Sequence, residues 1–249
     1  MNTNTLEKMR KMKFYGMTRA FTLDLESGRQ DNYTADEMIA HLIEAEWDDR
    51  QNRSIEMKVK NARFRYRAAL EELNYQNDRN LDKNQVMRFA QCQFIQKNEN
   101  IIITGSTGVG KSYLASAIGH HACSEGYRVM YFNVPKLFSK LKMNKADGTY
   151  MREIAKIERQ HLIILDDFGL NPLDAQSRSA LMEIVEDRHG KGSIIITSQV
   201  PVIKWHEIIG EKTVADAILD RIIHESHRIE LKGESLRRKK TTDEKNNLN

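Results

Sequence analysis

The chain has 249 residues, which is enough for one ordinary domain and a smaller one. Hydrophobic residues make up 40% and charged residues 30%, and prolines are few, so the composition excludes a disordered chain and favours a compact, helix-rich protein. The net charge of +4 is only mildly basic, and the two cysteines, Cys92 and Cys123, form no CxxC pair, which excludes a disulfide framework and a cysteine metal site. No apolar signal segment opens the chain and no apolar run reaches membrane-spanning length, so we expect a cytoplasmic protein without a membrane partner.

The first 75 residues or so are predicted to be helical. Residues Thr34 to Glu37 fit a helix-capping box, and apolar residues follow at helical spacing from Ile39 to Trp47. A second apolar stripe, at steps of three or four, predicts another helix and contains Ile55, Val59, Ala62, Tyr66, Leu70 and Leu73. Residues 50–67 carry seven basic residues against one acid, Glu56; the basic residues are Arg50, Arg53, Lys58, Lys60, Arg63, Arg65 and Arg67. Such an excess indicates either a solvated helix face or a nucleic-acid or acidic partner.

A change of pattern near residues 74–84, which are polar and turn-like, predicts a domain boundary. We assign residues 1–76 to a helical N-terminal domain for contacts with DNA, a protein partner or other subunits, 77–240 to an α/β domain, and 241–249 to a disordered tail. Four short apolar segments of the α/β domain are predicted strands, buried on both faces: Ile101–Thr104, Arg128–Asn133, Leu162–Leu165 and Ser193–Ser198. Helical segments lie between them, which predicts a parallel sheet with right-handed crossovers.

The segment GSTGVGKS, residues 105–112, follows the first predicted strand and precedes a predicted helix, Ser112–Ser124. It is a complete P-loop pattern in the right context. Glycines let backbone N–H groups approach phosphates, and the helix N-terminus adds positive potential. Lys111 is expected to reach the β- and γ-phosphates, and the Ser112 hydroxyl to bind Mg²⁺. The predicted nucleotide-binding residues are Gly105, Ser106, Thr107, Gly108, Val109, Gly110, Lys111, Ser112 and Tyr113.

The third predicted strand ends in Asp166 and Asp167, an apolar strand followed by acids, which is the form of a Walker B motif. Asp166 is expected to hold the Mg²⁺ shell, and Asp167 to polarise the attacking water. Aspartate is one methylene shorter than the glutamate that is commoner at the second position, so slow hydrolysis is expected. The alternative is a pair of turn or helix-capping aspartates.

Three later residues are further candidates. Gln199 follows the fourth strand, at the edge of the sheet where ligands bind, and it or Ser198 is predicted to contact the γ-phosphate or the water, unless both are only polar residues at a strand end. Arg221 lies in a charged helix that we expect to begin near Thr213. Its ordinary role there is an ion pair with Asp220, Glu225 or another neighbour, and its functional role is an arginine finger for an adjacent subunit. Arg237 lies in a basic segment that either binds nucleotide or is a solvated tail.

Taken together, five segments carry a family resemblance: EAEWDDRQNR, GSTGVGKSYLASAIGHHAC, LIILDDFGLNPLD, IIITSQVPVIKWHEIIG and ADAILDRIIHESHRIELKGES. They resemble the AAA+ class of P-loop ATPases, in the branch of DnaA and the helicase loader DnaC. The match is closer still to the IstB family, the ATP-binding helper proteins of bacterial insertion sequences. The resemblance implies an AAA+ α/β fold with a parallel central sheet, preceded by a small all-helical domain.

The resemblance also implies a function. Members of that family bind ATP with Mg²⁺ at the subunit interfaces of a homo-oligomer, bind and deform duplex DNA, and recruit and stimulate a partner transposase. It assigns Lys111 and Ser112 to Walker A, Asp166 and Asp167 to Walker B, and the sensor 1 position to the strand end Thr197–Gln199. It assigns the arginine finger to Arg221 and the sensor 2 region to Arg237.

The resemblance further assigns a DNA-facing role to an inserted helical element. The insert Pro135–Arg159 carries five lysines: Lys136, Lys140, Lys142, Lys145 and Lys156. Lysine contacts to phosphate give affinity that depends on salt and not on base sequence.

Three other functions share part of this pattern. A replicative helicase loader would have nearly the same ATPase half with a different client. A small-molecule or nucleoside kinase shares the P-loop but needs an arginine-rich lid, and DNA should not stimulate it. A binding module that holds ATP without hydrolysing it is compatible with aspartate at position 167.

Overall fold

The computed structural model describes residues 2–29, 33–75, 79–224 and 226–236. The chain divides into two compact units, Met1–Met57 and Lys58–Asn249. Within the described residues, no helix is both long and apolar enough to cross a membrane.

The first unit is helical, as predicted. It contains α1 (Asn2–Lys11), α2 (Tyr15–Ser27) and most of α3 (Ala35–Ala62). The predicted capping box is present, because the Thr34 N–H donates to Glu37 Oε2 (2.8 Å) and the Glu37 N–H donates to Thr34 Oγ1 (3.3 Å). The buried carboxylate of Glu46 accepts the Gly16 N–H (2.8 Å) at the start of α2, so a charge on α3 caps the neighbouring helix.

Helix α3 ends earlier than the apolar stripe predicts. The helix stops at Ala62, and Arg63 has φ +58°, a left-handed conformation that cannot continue a right-handed helix. The continuous helix predicted to Leu73 is therefore wrong, although Leu70 and Leu73 are buried in the core of the second unit. The two compact units divide between Met57 and Lys58, whereas the sequence pattern predicts a domain boundary near residues 74–84.

The second unit alternates helices and strands. In chain order it contains α4 (Lys83–Ala90), α5 (Gln93–Gln96), β1 (Asn100–Gly105), α6 (Lys111–Ser124), β2 (Val129–Asn133), α7 (Val134–Ala146), α8 (Tyr150–Glu158), β3 (Leu162–Phe168), α9 (Ala175–Arg188), β4 (Ser193–Ser198), α10 (Trp205–Ile209), α11 (Lys212–Ile223) and β5 (Ser226–Leu231). The four predicted strands are confirmed to within a few residues.

The sheet has five strands in the order β2-β3-β4-β1-β5, and every neighbouring pair is parallel. Alternate residues of β1 enter opposite cores, because side chains alternate across a strand. Ile101 and Ile103 lie in the cluster that includes Leu114 of α6, and Ile102 lies in the cluster of α7, α9 and α11. Helices thus cover both faces, which accounts for the continuous apolar runs of the central strands.

Strand β5 was not predicted. Its buried Ile229 and Leu231 alternate with the exposed Arg228 and Glu230, a pattern that is short and highly charged. Its outer side is covered by the segment around residues 79–85. There the Asn80 side chain donates to the carbonyl of Glu230 (2.9 Å), and the Lys232 N–H donates to the carbonyl of Arg79 (3.1 Å).

Helix α11 begins at Lys212, slightly before the predicted start at Thr213. Its N-cap is Glu211, whose carboxylate accepts the N–H groups of Thr213 (3.1 Å) and Val214 (3.0 Å). The position of Arg221 in this helix is as expected.

The insert between β2 and β3 forms α7 and α8, in agreement with the helical element that the resemblance implies. Three of its five lysines contact partners within the chain. Lys140 pairs with Glu153 (2.5 Å), Lys142 pairs with Asp174, and Lys145 lies over the ring of Tyr150 (4.7 Å).

One buried arginine, Arg188, connects several chain segments by hydrogen bonds, at the end of the strands that is opposite the P-loop. The guanidinium of Arg188 donates to the carbonyls of Ile157 (3.1 Å), Gln160 (3.0 Å), His161 (3.1 Å) and Ser193 (2.9 Å). Burial lowers the pKa of Arg188 to about 10. The four carbonyls are what make a buried cation tolerable at this position.

Candidate nucleotide-binding site

Polar residues gather at the carboxyl edge of the sheet, where β1 leads into the P-loop and β3 and β4 end. Along this edge β3 contains one extra residue, because Leu165 pairs with Ile196 and Phe168 pairs with Ser198. The extra residue forms a bulge in which Asp167 has φ +62°. A left-handed aspartate costs about 1 kcal/mol or more. The bulge holds two consecutive carboxylates, Asp166 and Asp167, at the end of a single strand.

The P-loop runs from β1 into α6, and its conformation requires glycine at two positions. Gly108 has φ +86° and Gly110, the N-cap residue of α6, has φ +98°. A Cβ at Gly110 would lie 2.7 Å from Nη2 of Arg79. The same nitrogen donates to the carbonyl of Val109 (2.6 Å), and the Leu236 N–H donates to the carbonyl of Gly108 (3.1 Å). Donors from outside the loop therefore fix its carbonyl groups.

Lys111 is the first residue of α6 and is buried. Its ammonium group donates to the carbonyls of Gly105 (2.8 Å) and Ser106 (2.8 Å). The charge therefore lies over the loop at the N-terminus of a helix, a position suited to the phosphates of a nucleotide.

Asp166 is completely buried, and four donors converge on its carboxylate. Ser112 Oγ (2.7 Å) and the Thr197 hydroxyl donate to Oδ1, while the Tyr131 hydroxyl and Arg65 Nη1 (3.3 Å) donate to Oδ2. Burial and the hydrogen bond to Asp166 raise the pKa of Tyr131, so its phenol remains a donor. The structure thus brings together the Walker A serine and the Walker B aspartate, 54 residues apart in sequence.

Asp167 lies beside Asp166 and is less buried. Its Oδ2 accepts from Asn133 Nδ2 (2.9 Å) and from Arg65 Nη1 (3.0 Å). Its backbone N–H donates to Thr197 Oγ1 (3.2 Å). One guanidinium and one hydroxyl therefore each bridge the two Walker B residues.

Two further predicted residues contact partners at or beside the P-loop. Gln199 Oε1 accepts from Thr107 Oγ1 (2.7 Å), so the end of β4 lies against the loop as expected. The Tyr113 hydroxyl donates to Glu72 Oε2 (2.5 Å), and its ring centroid is 6.3 Å from that of Tyr66. The side chain of Tyr113 thus packs on the segment before α4.

Arg221 is not among the residues that contact the P-loop. Its guanidinium pairs with Glu186 of α9 (2.7 Å) and donates to the carbonyl of Ala217 (3.0 Å). An ion pair, the ordinary role predicted for Arg221, is therefore present, and its partner is an acid of another helix and neither Asp220 nor Glu225. Arg237 lies outside the described residues.

Three residues of the site were missed by the sequence reasoning. Asn133 is the last residue of β2, which neighbours β3, so the rule that polar strand ends gather at one edge could have identified it. Tyr131 was taken only as part of an apolar strand. Arg65 gave no signal, since it was one of seven basic residues and lies 101 residues from Asp166.

The donor set at Ser112 and Asp166 fits a hard divalent cation. A hydroxyl and a carboxylate oxygen face each other at 2.7 Å, and oxygen ligands of this kind are those that Mg²⁺ uses together with phosphates and water. No group of three or more His, Cys, Asp or Glu side chains suited to a metal is present in the described part of the chain. A protein-only metal cage is therefore not what this edge of the sheet offers.

Comparisons with known proteins agree with this geometry. The chain matches the model of the IstB-like ATP binding protein family over residues 7–244. It is 44% identical over 234 residues to y4pL, described as an insertion sequence ATP-binding protein of Sinorhizobium fredii, covering 94% of this chain and 96% of the relative.

Two solved structures are similar. The crystal structure of DnaI matches with a TM-score of 0.58 and 25% identity, covering 66% of this chain and 91% of that one. AMPPCP-bound DnaA from Aquifex aeolicus matches with a TM-score of 0.59 and 19% identity, covering 74% and 55%. These neighbours confirm the predicted AAA+ P-loop fold. The chain belongs to the family of IstB-like ATP-binding proteins of insertion sequences and is an ATP-binding AAA+ ATPase of transposition.

Proposed function

We propose that this ATPase assembles on duplex DNA into a homo-oligomer with ATP at its subunit interfaces, deforms that DNA, and recruits and stimulates the transposase of the same element in the bacterial cytoplasm. The observation that carries the proposal is the location of Arg221. The Walker residues lie together at one edge of the sheet, whereas the arginine of the finger motif pairs with Glu186 and contacts none of them. If the nucleotide site requires Arg221, the arginine must therefore come from a second subunit.

Each Walker residue has a role at the nucleotide. Lys111 exchanges the carbonyls of Gly105 and Ser106 for the β- and γ-phosphates. Ser112 and Asp166 hold Mg²⁺, which when bound neutralises phosphate charge. Gln199 contacts the γ-phosphate or the attacking water, a role supported by its hydrogen bond with Thr107 of the P-loop.

Asp167 orients the water that attacks the γ-phosphate. Its carboxylate is held by Asn133, and its backbone N–H by Thr197. An anchored, short carboxylate reaches less far than a glutamate, which supports slow basal hydrolysis that DNA or the transposase accelerates.

The ion pair of Arg221 with Glu186 is compatible with exchange between subunits. The side chain of Glu186 is 53% exposed, and ion pairs of this kind contribute only about 0–1 kcal/mol. A γ-phosphate presented by a neighbouring subunit carries more negative charge and accepts a bidentate guanidinium. The exchange of Glu186 for phosphate therefore favours the assembled state when ATP is present.

The helices α7 and α8 supply the lysines proposed to contact DNA. Lys140 and Lys142 pair with acids at a partly exposed surface, so phosphate groups can replace Glu153 and Asp174 at little expense. Contacts of this kind are independent of sequence and weaken with salt, and many of them in an oligomer offset the energy of bending DNA.

The N-terminal helices offer a surface for a protein partner. On α3, Ile39, Ile43 and Trp47 are each more than half exposed and recur every four residues, so they form one apolar stripe. This stripe supports a role of the first unit in binding the transposase or another subunit.

The test replaces Arg221 with alanine and, as the matched variant, Glu186 with glutamine. Arg221→Ala is expected to abolish ATP-dependent oligomerisation and DNA-stimulated hydrolysis while ATP still binds to the monomer. Glu186→Gln is expected to oligomerise at lower protein concentration, because it releases the arginine. Survival of both activities in Arg221→Ala would show that this residue is not the finger.

The client is tested separately. Pull-down with the transposase of the same element is expected to succeed where a replicative helicase fails, and the reverse result would identify a helicase loader. ATP hydrolysis measured with and without duplex DNA separates an ATPase that acts on DNA from a kinase.

A further inference from the structure

Arg65 occupies a position that the proposed mechanism does not use. Its Nη1 lies 3.3 Å from Asp166 Oδ2 and 3.0 Å from Asp167 Oδ2, so one guanidinium faces both Walker B carboxylates. The Asp166 carboxylate is completely buried, and the Arg65 side chain is 40% exposed. A partly exposed cation therefore contacts the pair of acids at which a divalent cation is expected.

The backbone around Arg65 is held in place by its neighbours. The ring of Phe64 stacks on His120 (4.2 Å), and the carbonyl of Tyr66 lies 3.1 Å from His120 Nε2. The Arg65 guanidinium also lies 5.5 Å from the ring of Tyr66. The side chain is thus delivered to the carboxylates by an anchored segment, while its exposed tip is able to leave.

Two cations compete for one pair of acids in this arrangement. A divalent cation held by Ser112 and Asp166 would repel a guanidinium that lies a few ångströms away, because both are positively charged and the site is partly shielded from water. Arg65 also neutralises part of the charge that would otherwise attract the cation.

We propose that Arg65 is a positioning residue that acts as the internal counter-ion of Asp166 and Asp167 and is displaced when Mg²⁺ and ATP bind, so that it sets the Mg²⁺ concentration at which the site fills. The inference rests on the proposed function, because it requires that this site binds ATP with Mg²⁺.

The experiment titrates Mg²⁺ against the binding of a fluorescent ATP analogue, without measuring hydrolysis. The variants are Arg65→Ala and Arg65→Gln, and the control is Arg67→Ala, an exposed arginine of the same segment. Both Arg65 variants are expected to bind the analogue at an Mg²⁺ concentration about tenfold lower than the wild type requires. In EDTA, both variants are expected to bind the analogue no more tightly than the wild type does. The control is expected to follow the wild type.

If both Arg65 variants bind the analogue with Mg²⁺ midpoints within twofold of the wild-type midpoint, the inference is overturned and the proposed function is not. Failure of the wild type to bind the analogue at any Mg²⁺ concentration overturns the proposed function as well.

Discussion

The hydroxyl of Thr197 joins the two Walker B residues. It donates to Asp166 Oδ1 and accepts the backbone N–H of Asp167 (3.2 Å), and the residue itself is completely buried. Thr197→Val replaces the hydroxyl with a methyl group of nearly the same size. The change therefore removes two hydrogen bonds and leaves the packing almost unaltered.

The expected magnitude follows from what each partner loses. The Asp167 N–H is left without an acceptor, which costs about 1–3 kcal/mol, and the charge-assisted bond to Asp166 is worth a similar amount. Asp166 retains Ser112, Tyr131 and Arg65 as donors, so its own penalty is small. We expect the free energy of unfolding to fall by about 2–3 kcal/mol.

Catalysis is expected to suffer as well, because both carboxylates lose a positioning contact. We expect kcat for ATP to fall about 10- to 100-fold, equivalent to about 1.4–2.8 kcal/mol, with KM changed less because Thr197 does not contact the P-loop. The assays are urea denaturation and steady-state hydrolysis with duplex DNA. Thr197→Ser, which keeps the hydroxyl, is the control. Equal unfolding free energies and equal kcat values for the valine and serine variants would refute the reasoning.

Two further substitutions test other parts of the second unit. Arg188→Met leaves four carbonyl oxygens without their donor, so it is expected to lower the free energy of unfolding by about 3–5 kcal/mol. The assay is urea denaturation. The control is Arg152→Met at an exposed position, which is expected to change the free energy of unfolding by less than about 0.5 kcal/mol. Gly110→Ala places a Cβ 2.7 Å from Arg79 at φ +98° and is expected to weaken ATP binding at least about tenfold, measured by equilibrium titration. Gly148→Ala, at φ +75° with no atom within 4 Å of the added carbon, controls for backbone strain alone.

The outcomes that contradict these two expectations are distinct. Unfolding of Arg188→Met at the same urea concentration as the wild type would mean that the carbonyl cage does not stabilise this region. Equal ATP affinity in the Gly110 and Gly148 variants would mean that the loop adjusts to a side chain at its last glycine.

Local sequence patterns were sufficient for the central strands and the P-loop. The apolar runs of β1, β3 and β4 are buried on both faces, so burial alone explains their composition and made them recognisable. The P-loop has glycines at fixed spacing because its backbone conformation demands them, as at Gly110. Asp166 was identifiable because it ends such a run.

Other features depend on contacts distant in sequence or on a single backbone angle. β5 is an edge strand whose charged residues weaken the apolar pattern, so its pairing with β1 was not visible in advance. The end of α3 depends on the left-handed conformation of Arg63, which interrupts a stripe that otherwise continues at helical spacing. Arg65 belongs to the site only because the irregular segment returns to β3, and periodicity carries no information about such a return.

The covered edge at β5 restricts how copies of this protein can join. An open strand edge is a template on which another chain adds a strand, and that mode of association is sequence-tolerant and prone to aggregation. Here the carbonyls of Arg228 and Glu230 already accept side-chain amides from Gln85 and Asn80, and Lys232 bonds the backbone of Arg79. Sheet extension at this edge would have to break those bonds first. The self-association that we propose would therefore use side-chain surfaces and not strand addition at β5.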